Sequence, residues 1–165
     1  MYKNSTEIVM EHLIENNITI ATAESCTAGM VASAIGNVPG VSSVFNEGFI
    51  TYSNEAKEKH LGVPHELLEK CGAVSHEVCA AMAEGVCKKT GADIGIATTG
   101  IAGPTGGTDD KPVGLVYMGI CYNGKTKIFK YIFTGSRRSV RYQTMKFAFH
   151  ELRKIFDLPL TNDEF

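Results

Sequence analysis

Residues 113–133 read VGLVYMGICY-NG-KTKIFKYIF. Two apolar, aromatic-rich runs flank Asn123-Gly124, the dipeptide that best accommodates the two positive φ angles of a type I′ turn. The stretch is predicted to be an antiparallel hairpin. Upstream, ITIATA (18–23), FNEGFITY (45–52) and DIGIATT (93–99) are short and β-rich, and each is bounded by turn or cap residues, as strands are. Helical patterns separate them, which implies parallel crossovers in the first two thirds of the chain. Parallel strands followed by a hairpin predict an α/β fold, a three-layer α/β/α sandwich with a mixed β-sheet. No internal repeat or linker interrupts residues 1–165, so one domain is expected.

The helices carry their own end signals. Ile8, Val9, Leu13 and Ile14 recur at helical spacing over 5–15, with Asn4 and Glu7 placed as a capping pair. TAGMVASAIG (27–36) is rich in small residues and ends in glycine, which suits a helix packed close to a sheet. Ser53 precedes NEAKEKHL and Ser75 precedes HEVCAAMAEGVCKKTG, each where an N-cap belongs. PHELLEKCG (64–72) reads as a short helix between them, and SVRYQTMKFAFHELRKIF (139–156) as the last one.

Hydrophobic residues make up 44% and charged residues 21% of the 165 positions, as in an ordinary globular domain. A net charge of −2 argues against a general nucleic-acid binder, which needs surplus Lys and Arg to displace counterions. The basic cluster RRSVR (137–141) suits one small anion instead. Five cysteines with no CxxC pair point to neither a disulfide framework nor a zinc ribbon. The N-terminal segment is charged throughout and no apolar run is long enough to span a bilayer, so a cytoplasmic protein without membrane contact is expected.

Three local features could carry chemistry. Ser25, in TAESCTAGM (22–30), falls between the end of a strand and the start of a helix. Ligands of open α/β sheets collect there, and the following N–H groups would hold an anion or a developing oxyanion. Position alone equally suits a helix cap. Serine needs a neighbouring base; Lys57, in the first turns of its helix, is one if burial and the macrodipole lower its pKa, and otherwise a solvated lysine. Cys26 is the local rival nucleophile, because a thiol at a helix N-terminus is readily activated. The glycine-rich loop TTGIAGPTGG (98–107) offers N–H donors and close backbone approach, but matches neither a Walker A nor a dinucleotide fingerprint. Arg137, Arg138 and Arg141 are available to a phosphate or to solvent.

ATAESCTAG, GFITYSNEAKEKHLGV, GAVSHEVCAAMAEG, TTGIAGPTGGTDDKPVGLVY and RRSVRYQT occur in that order. Together they resemble the C-terminal domain of the CinA competence/damage-inducible proteins, found also as the stand-alone nicotinamide mononucleotide amidohydrolase (NMN deamidase). The resemblance runs from about Ile8 to Phe156. Longer family members carry an additional N-terminal domain, which is not expected within these 165 residues. It implies hydrolysis of the carboxamide of nicotinamide mononucleotide to nicotinate mononucleotide and ammonia, without metal or cofactor. It further implies Ser25 as nucleophile, Lys57 as base and Tyr52 as proton relay, with Glu24 orienting a neighbour. The implied substrate-binding residues are Thr99, Gly100, Gly103, Gly106, Arg141, Cys26 and Thr27, with Arg138 a rival to Arg141. Where the family commonly has glycine this chain has Ala28, expected inside a helix, where alanine is the better residue by up to about 1 kcal/mol. A homo-oligomer is expected from fold-level analogy and the exposed hairpin edge. The alternative reading is a non-catalytic nucleotide-binding sensor module of the same family. Hydrolysis of a phosphate ester fits less well, since Asp109-Asp110 alone is a weak metal-ligand set.

Overall fold

Alternation of large and small residues along two central strands decides how the layers stack. The computed structural model describes residues 3–159; the two ends of the expected 1–165 domain, residues 1–2 and 160–165, lie outside the described residues. Strand β1 (Ile20–Glu24) reads Ile-Ala-Thr-Ala-Glu and β3 (Ile94–Gly100) reads Ile-Gly-Ile-Ala-Thr-Thr-Gly. Successive side chains of a strand point to opposite faces, so the isoleucines share one face and the small residues the other. Strands β2 (Phe45–Ile50), β4 (Leu115–Tyr122) and β5 (Lys125–Ile132) complete a sheet of order β2-β1-β3-β4-β5. β1 pairs parallel with β2 and β3, while β3–β4 and β4–β5 are antiparallel. This is the mixed sheet expected.

On the isoleucine face lie α1 (Ser5–Asn16), α2 (Met30–Gly36) and α6 (Arg137–Ile155), through Val9, Leu13, Ile35, Phe149 and Leu152. On the small face lies α5 (His76–Thr90), through Val78, Met82, Ala83 and Val86, flanked by α3 (Asn54–Leu61) and α4 (His65–Cys71). Ala21, Ala23 and Ala97 form the floor under α5. A Cβ added at Gly95 would overlap the Ala83 carbonyl oxygen, so the helix rests directly on the strand. The same device joins α3 to α5: a Cβ on Gly85 would overlap the Leu61 carbonyl oxygen.

Local signals place most of the elements. Asn4 and Glu7 form a reciprocal capping box on α1, and the Ser53 and Ser75 side chains accept from the N–H groups of Ala56 and Val78. Asn123 and Gly124 have φ of 51° and 68°, the signs a type I′ turn requires. Ser136 accepts from the Ser139 N–H, which starts α6 two residues before the predicted helix.

The helix predicted over 27–36 begins only at Met30. Ala28 and Gly29 both occupy the left-handed region, with φ of 47° and 91°, and a right-handed helix cannot run through them. Ala28 therefore stands outside the helix, and the expectation of a helical alanine is corrected. The turn is held by the Glu24 carboxylate, whose two oxygens accept the N–H groups of Val31 and Ala32 at 2.8 and 3.0 Å.

Replacing Ala28 with glycine removes the Cβ from a left-handed residue and is expected to stabilise the fold by roughly 1 kcal/mol. Gly85→Ala must part α3 from α5 and is expected to destabilise by roughly 1–3 kcal/mol. Urea midpoints at constant m-value measure both.

Candidate active site

At the carboxyl end of β1 the chain turns toward β2 on one side, while neighbouring β3 leads into the glycine-rich loop and β4 on the other. Such a divergence opens a crevice above the strand ends. Two backbone bonds extend the ladder into it: Ser25 N–H to the Thr98 carbonyl at 3.0 Å, and Thr51 N–H to the Glu24 carbonyl at 2.8 Å. Ser25 and the 51–52 segment thus emerge side by side. Ser53 then caps α3, and one turn later Lys57 folds its side chain back over the strand ends. Its Nζ lies 3.1 Å from Ser25 Oγ and donates to the carbonyls of Thr51 at 2.8 Å and Tyr52 at 3.3 Å.

Lys57 is only 1% exposed, and among the described residues no carboxylate pairs with it. Burial in a medium of low polarity disfavours the ammonium and holds the lysine below its ordinary value of 10.5. A neutral amine has two N–H groups and one lone pair. Two carbonyls take the N–H groups, which leaves the lone pair for the Ser25 hydroxyl.

The turn after Ser25 is fixed from several directions. The Ser25 carbonyl accepts from the Ala28 N–H at 3.1 Å, and the hydroxyls of Thr27 and Thr98 are 2.7 Å apart. Arg141 of α6 donates from Nε to the Cys26 carbonyl at 3.0 Å and from Nη2 to the Thr27 carbonyl at 2.8 Å. Among the described residues, no other residue accepts the N–H of Cys26 or of Thr27. The N–H groups of α2 expected to serve an anion, those of Val31 and Ala32, are instead held by Glu24.

Cys26 faces the isoleucine side and joins its core, so consecutive residues 25 and 26 serve opposite sides of the sheet. Burial pushes the Cys26 thiol up to about 12, well above any range in which a thiolate is the working form near neutrality. Burial thus disfavours the thiolate of the rival candidate, and the reason is tertiary.

The remaining residues are distributed unevenly. Tyr52 is exposed, and its hydroxyl accepts from Arg137 Nη2 at 2.7 Å. It is the Tyr52 carbonyl, rather than the expected phenol, that touches Lys57. Arg137 also donates from Nη1 to the Gly103 carbonyl at 2.9 Å, so it bridges the 51–52 segment and the glycine-rich loop. Arg138 lines a separate surface concavity with Ser136, Ser139 and Tyr142. Thr99 is buried and donates to the Ala73 carbonyl at 2.7 Å, which ties β3 to the entry of α5. At Gly100 a Cβ would sit 2.7 Å from Val116 Cγ2, so close strand packing demands glycine there. Gly103 and Gly106 take positive φ of 78° and 90°. Lys111, at the far end of the loop, donates to the Cys71 carbonyl at 2.7 Å and anchors it to α4. Sequence reasoning gave no role to Thr98 or to the Thr51 carbonyl. Thr98 was findable as the strand-end hydroxyl beside Thr99; a backbone carbonyl leaves no signal in a sequence.

No helix of the described residues is long and apolar enough to cross a membrane. The family model of the CinA C-terminal domain matches residues 2–156. A protein of Clostridium novyi (strain NT) is 57% identical over 148 residues, covering 90% of this chain and 36% of that protein. The CinA-like protein of Kosmotoga olearia is 55% identical over 154 residues, covering 93% of this chain and 37% of that protein. The chain therefore spans about a third of the length of these curated relatives. Among solved structures, a CinA-superfamily protein of Klebsiella pneumoniae superposes with a TM-score of 0.89 at 34% identity, covering 94% of this chain and 99% of that one. The Escherichia coli CinA-superfamily protein gives 0.88 at 34%, covering 92% and 88%. With the family model matched over residues 2–156 and relatives more than half identical across nine-tenths of the chain, the chain belongs to the CinA C-terminal domain family.

Proposed function

We propose that this domain is an amidohydrolase that converts nicotinamide mononucleotide to nicotinate mononucleotide and ammonia through a Ser25 acyl-enzyme. The observation that carries the reading is the buried Lys57 amine 3.1 Å from the Ser25 hydroxyl, with no carboxylate to keep it charged. In the first half-reaction Lys57 Nζ accepts the Ser25 proton as Oγ bonds to the carboxamide carbon. The carbonyl oxygen takes the negative charge, facing the Cys26 and Thr27 N–H groups. The tetrahedral intermediate collapses, the C–N bond breaks, and protonated Lys57 donates to the departing ammonia. In the second half-reaction the same amine takes a proton from water, whose oxygen attacks the ester and releases the carboxylate. The proton returns to Ser25 Oγ.

The substrate is a pyridinium ribonucleotide with one phosphate. Its phosphate needs N–H donors and a cation, and the glycine-rich loop with Arg137 supplies both kinds of group on one side of the dyad. Both arginines have two nitrogens engaged, but Arg141, expected in that role, is half-buried against the Cys26 and Thr27 carbonyls, whereas Arg137 is exposed at the rim. Tyr52, held by Arg137, presents an exposed aromatic face at the same rim. A pyridinium ring carries a positive charge, and aromatic faces attract cations by about 0.5–1 kcal/mol at exposed sites.

Ammonia release from nicotinamide mononucleotide tests the reading directly. Ser25→Ala and Lys57→Ala are each expected to lower kcat by at least about 10³-fold, whereas Cys26→Ala retains most of the activity. Binding without ammonia release by the unaltered protein would instead establish a sensor.

The pH profile is a second test. Lys57 works as a base only when neutral, so kcat/KM is expected to rise with pH through an apparent pKa below 10.5. The same shift acts on stability. Because the folded pKa is lowered, the unfolded chain binds more protons between that value and 10.5, and Lys57 makes stability rise with pH across this window. Lys57→Met is expected to flatten that rise and to be the more stable protein near neutrality, the difference closing toward the upper end of the window. Denaturant titrations at a series of pH values read this out.

A further inference from the structure

The Arg141 guanidinium reaches across from α6 to two consecutive carbonyls of the turn that carries the nucleophile. In a trans peptide the C=O and N–H of one unit point in opposite directions. Holding the Cys26 carbonyl on the Arg141 side therefore turns the Thr27 N–H to the other side. The preceding unit is held likewise, its Ser25 carbonyl taken by the Ala28 N–H at 3.1 Å. Five N–H groups around the turn have partners: Ser25 with Thr98, Ala28 with Ser25, Met30 with Thr27, and Val31 and Ala32 with Glu24. Those of Cys26 and Thr27, the two residues that follow Ser25, are taken by no other described residue.

We propose that Arg141 is a positioning residue for an oxyanion hole made by the Cys26 and Thr27 N–H groups, not a ligand of the substrate's phosphate. This rests on the acyl-enzyme reading of Ser25 but not on the identity of the substrate. The guanidinium acts in two ways. It fixes the Cys26–Thr27 plane directly, and through the Thr27 carbonyl it fixes the Ala28 N–H that holds the Ser25–Cys26 plane, so no reorganisation is required as charge develops. It also withdraws electron density from the Cys26–Thr27 peptide through its carbonyl, which strengthens the Thr27 N–H as a donor, as charge-assisted bonds do. The division of labour along α6 is then explicit. Arg137 serves the glycine-rich loop and Tyr52, and Arg141, one turn later on the same face, serves the nucleophile turn.

An alkyl fluorophosphonate tests this without assuming the substrate. Ser25 Oγ bonds to phosphorus, the P–F bond breaks, fluoride leaves, Lys57 takes the serine proton, and the phosphoryl oxygen occupies the oxyanion position. Intact-mass measurement gives the rate. Arg141→Met is expected to slow labelling by about 100-fold, the usual effect of losing one oxyanion donor. On nicotinamide mononucleotide it should lower kcat by a similar factor and change KM by less than about two-fold. Arg141→Lys, which keeps one charged donor, should fall between, and guanidinium ion added to Arg141→Ala should restore part of the rate. If Arg141→Met fails to fold, the lysine variant and the rescue decide the matter. Labelling at the unaltered rate, or a raised KM with unchanged kcat, would overturn the proposal in favour of phosphate binding. Should the parent label at Ser25 yet release no ammonia from nicotinamide mononucleotide, the substrate assignment fails while the labelling comparison still judges Arg141. Absence of any labelling at Ser25 overturns the nucleophile and this inference together.

Discussion

The structure is organised around an amine that is buried without a counter-charge. Moving an ammonium into a protein interior costs several kcal/mol, even after relaxation. Lys57 lowers this cost by setting Nζ within hydrogen-bond distance of two carbonyls and a hydroxyl, and burial favours its neutral form. That arrangement works only if three segments are held to within a few tenths of an ångström. The β1–β2 pairing sets Ser25 beside Thr51, the Ser53 cap sets the start of α3, and the Gly85 contact sets the height of α3 above the sheet.

The backbone at the end of β1 sends the adjacent side chains of Ser25 and Cys26 into different surroundings. Side chains of β1 alternate, so Ala21 and Ala23 face α5 and Ile20 the opposite core; in the turn that follows, Ser25 meets Lys57 of α3 and Cys26 joins the Ile20 core. A hydroxyl is delivered to the base and a thiol to hydrocarbon. Burial then keeps the thiol protonated, and of the two side chains it is the hydroxyl that meets the Lys57 amine. Glu24, just before them, neutralises the start of α2 and takes N–H groups that would otherwise compete for an anion.

Helix α6 couples the halves of the site. Residues four apart share a helix face, and Arg137 and Arg141 lie at that spacing on the side that faces the strand ends, while Arg138 lines a different concavity. Its first two turns thereby brace the nucleophile turn and the glycine-rich loop against one rigid element. Lys111 braces the loop again at α4. Rigid support of this kind is what a preorganised electrostatic site requires.

By itself the sequence determined what depends on neighbours a few residues away. The Asn123-Gly124 turn, the caps at Asn4, Ser53 and Ser75, and the Ile/Ala alternation of β1 and β3 are each set by backbone sterics or local hydrogen bonds. They were enough for the mixed sheet and its helices. The start of α2 was misplaced because Ala28 has no intrinsic preference for a left-handed conformation; the Glu24 carboxylate and Gly29 impose it. The site was legible as candidates rather than as an arrangement. Ser25 and Lys57 stand 32 positions apart and Cys26 and Arg141 115 apart, and no local energy relates such residues. Which side chain is buried, which carbonyl it meets and which face of the sheet it serves were decided only when the strands paired and the helices packed. Desolvation and hydrogen-bond direction are properties of the assembled environment, not of the residue.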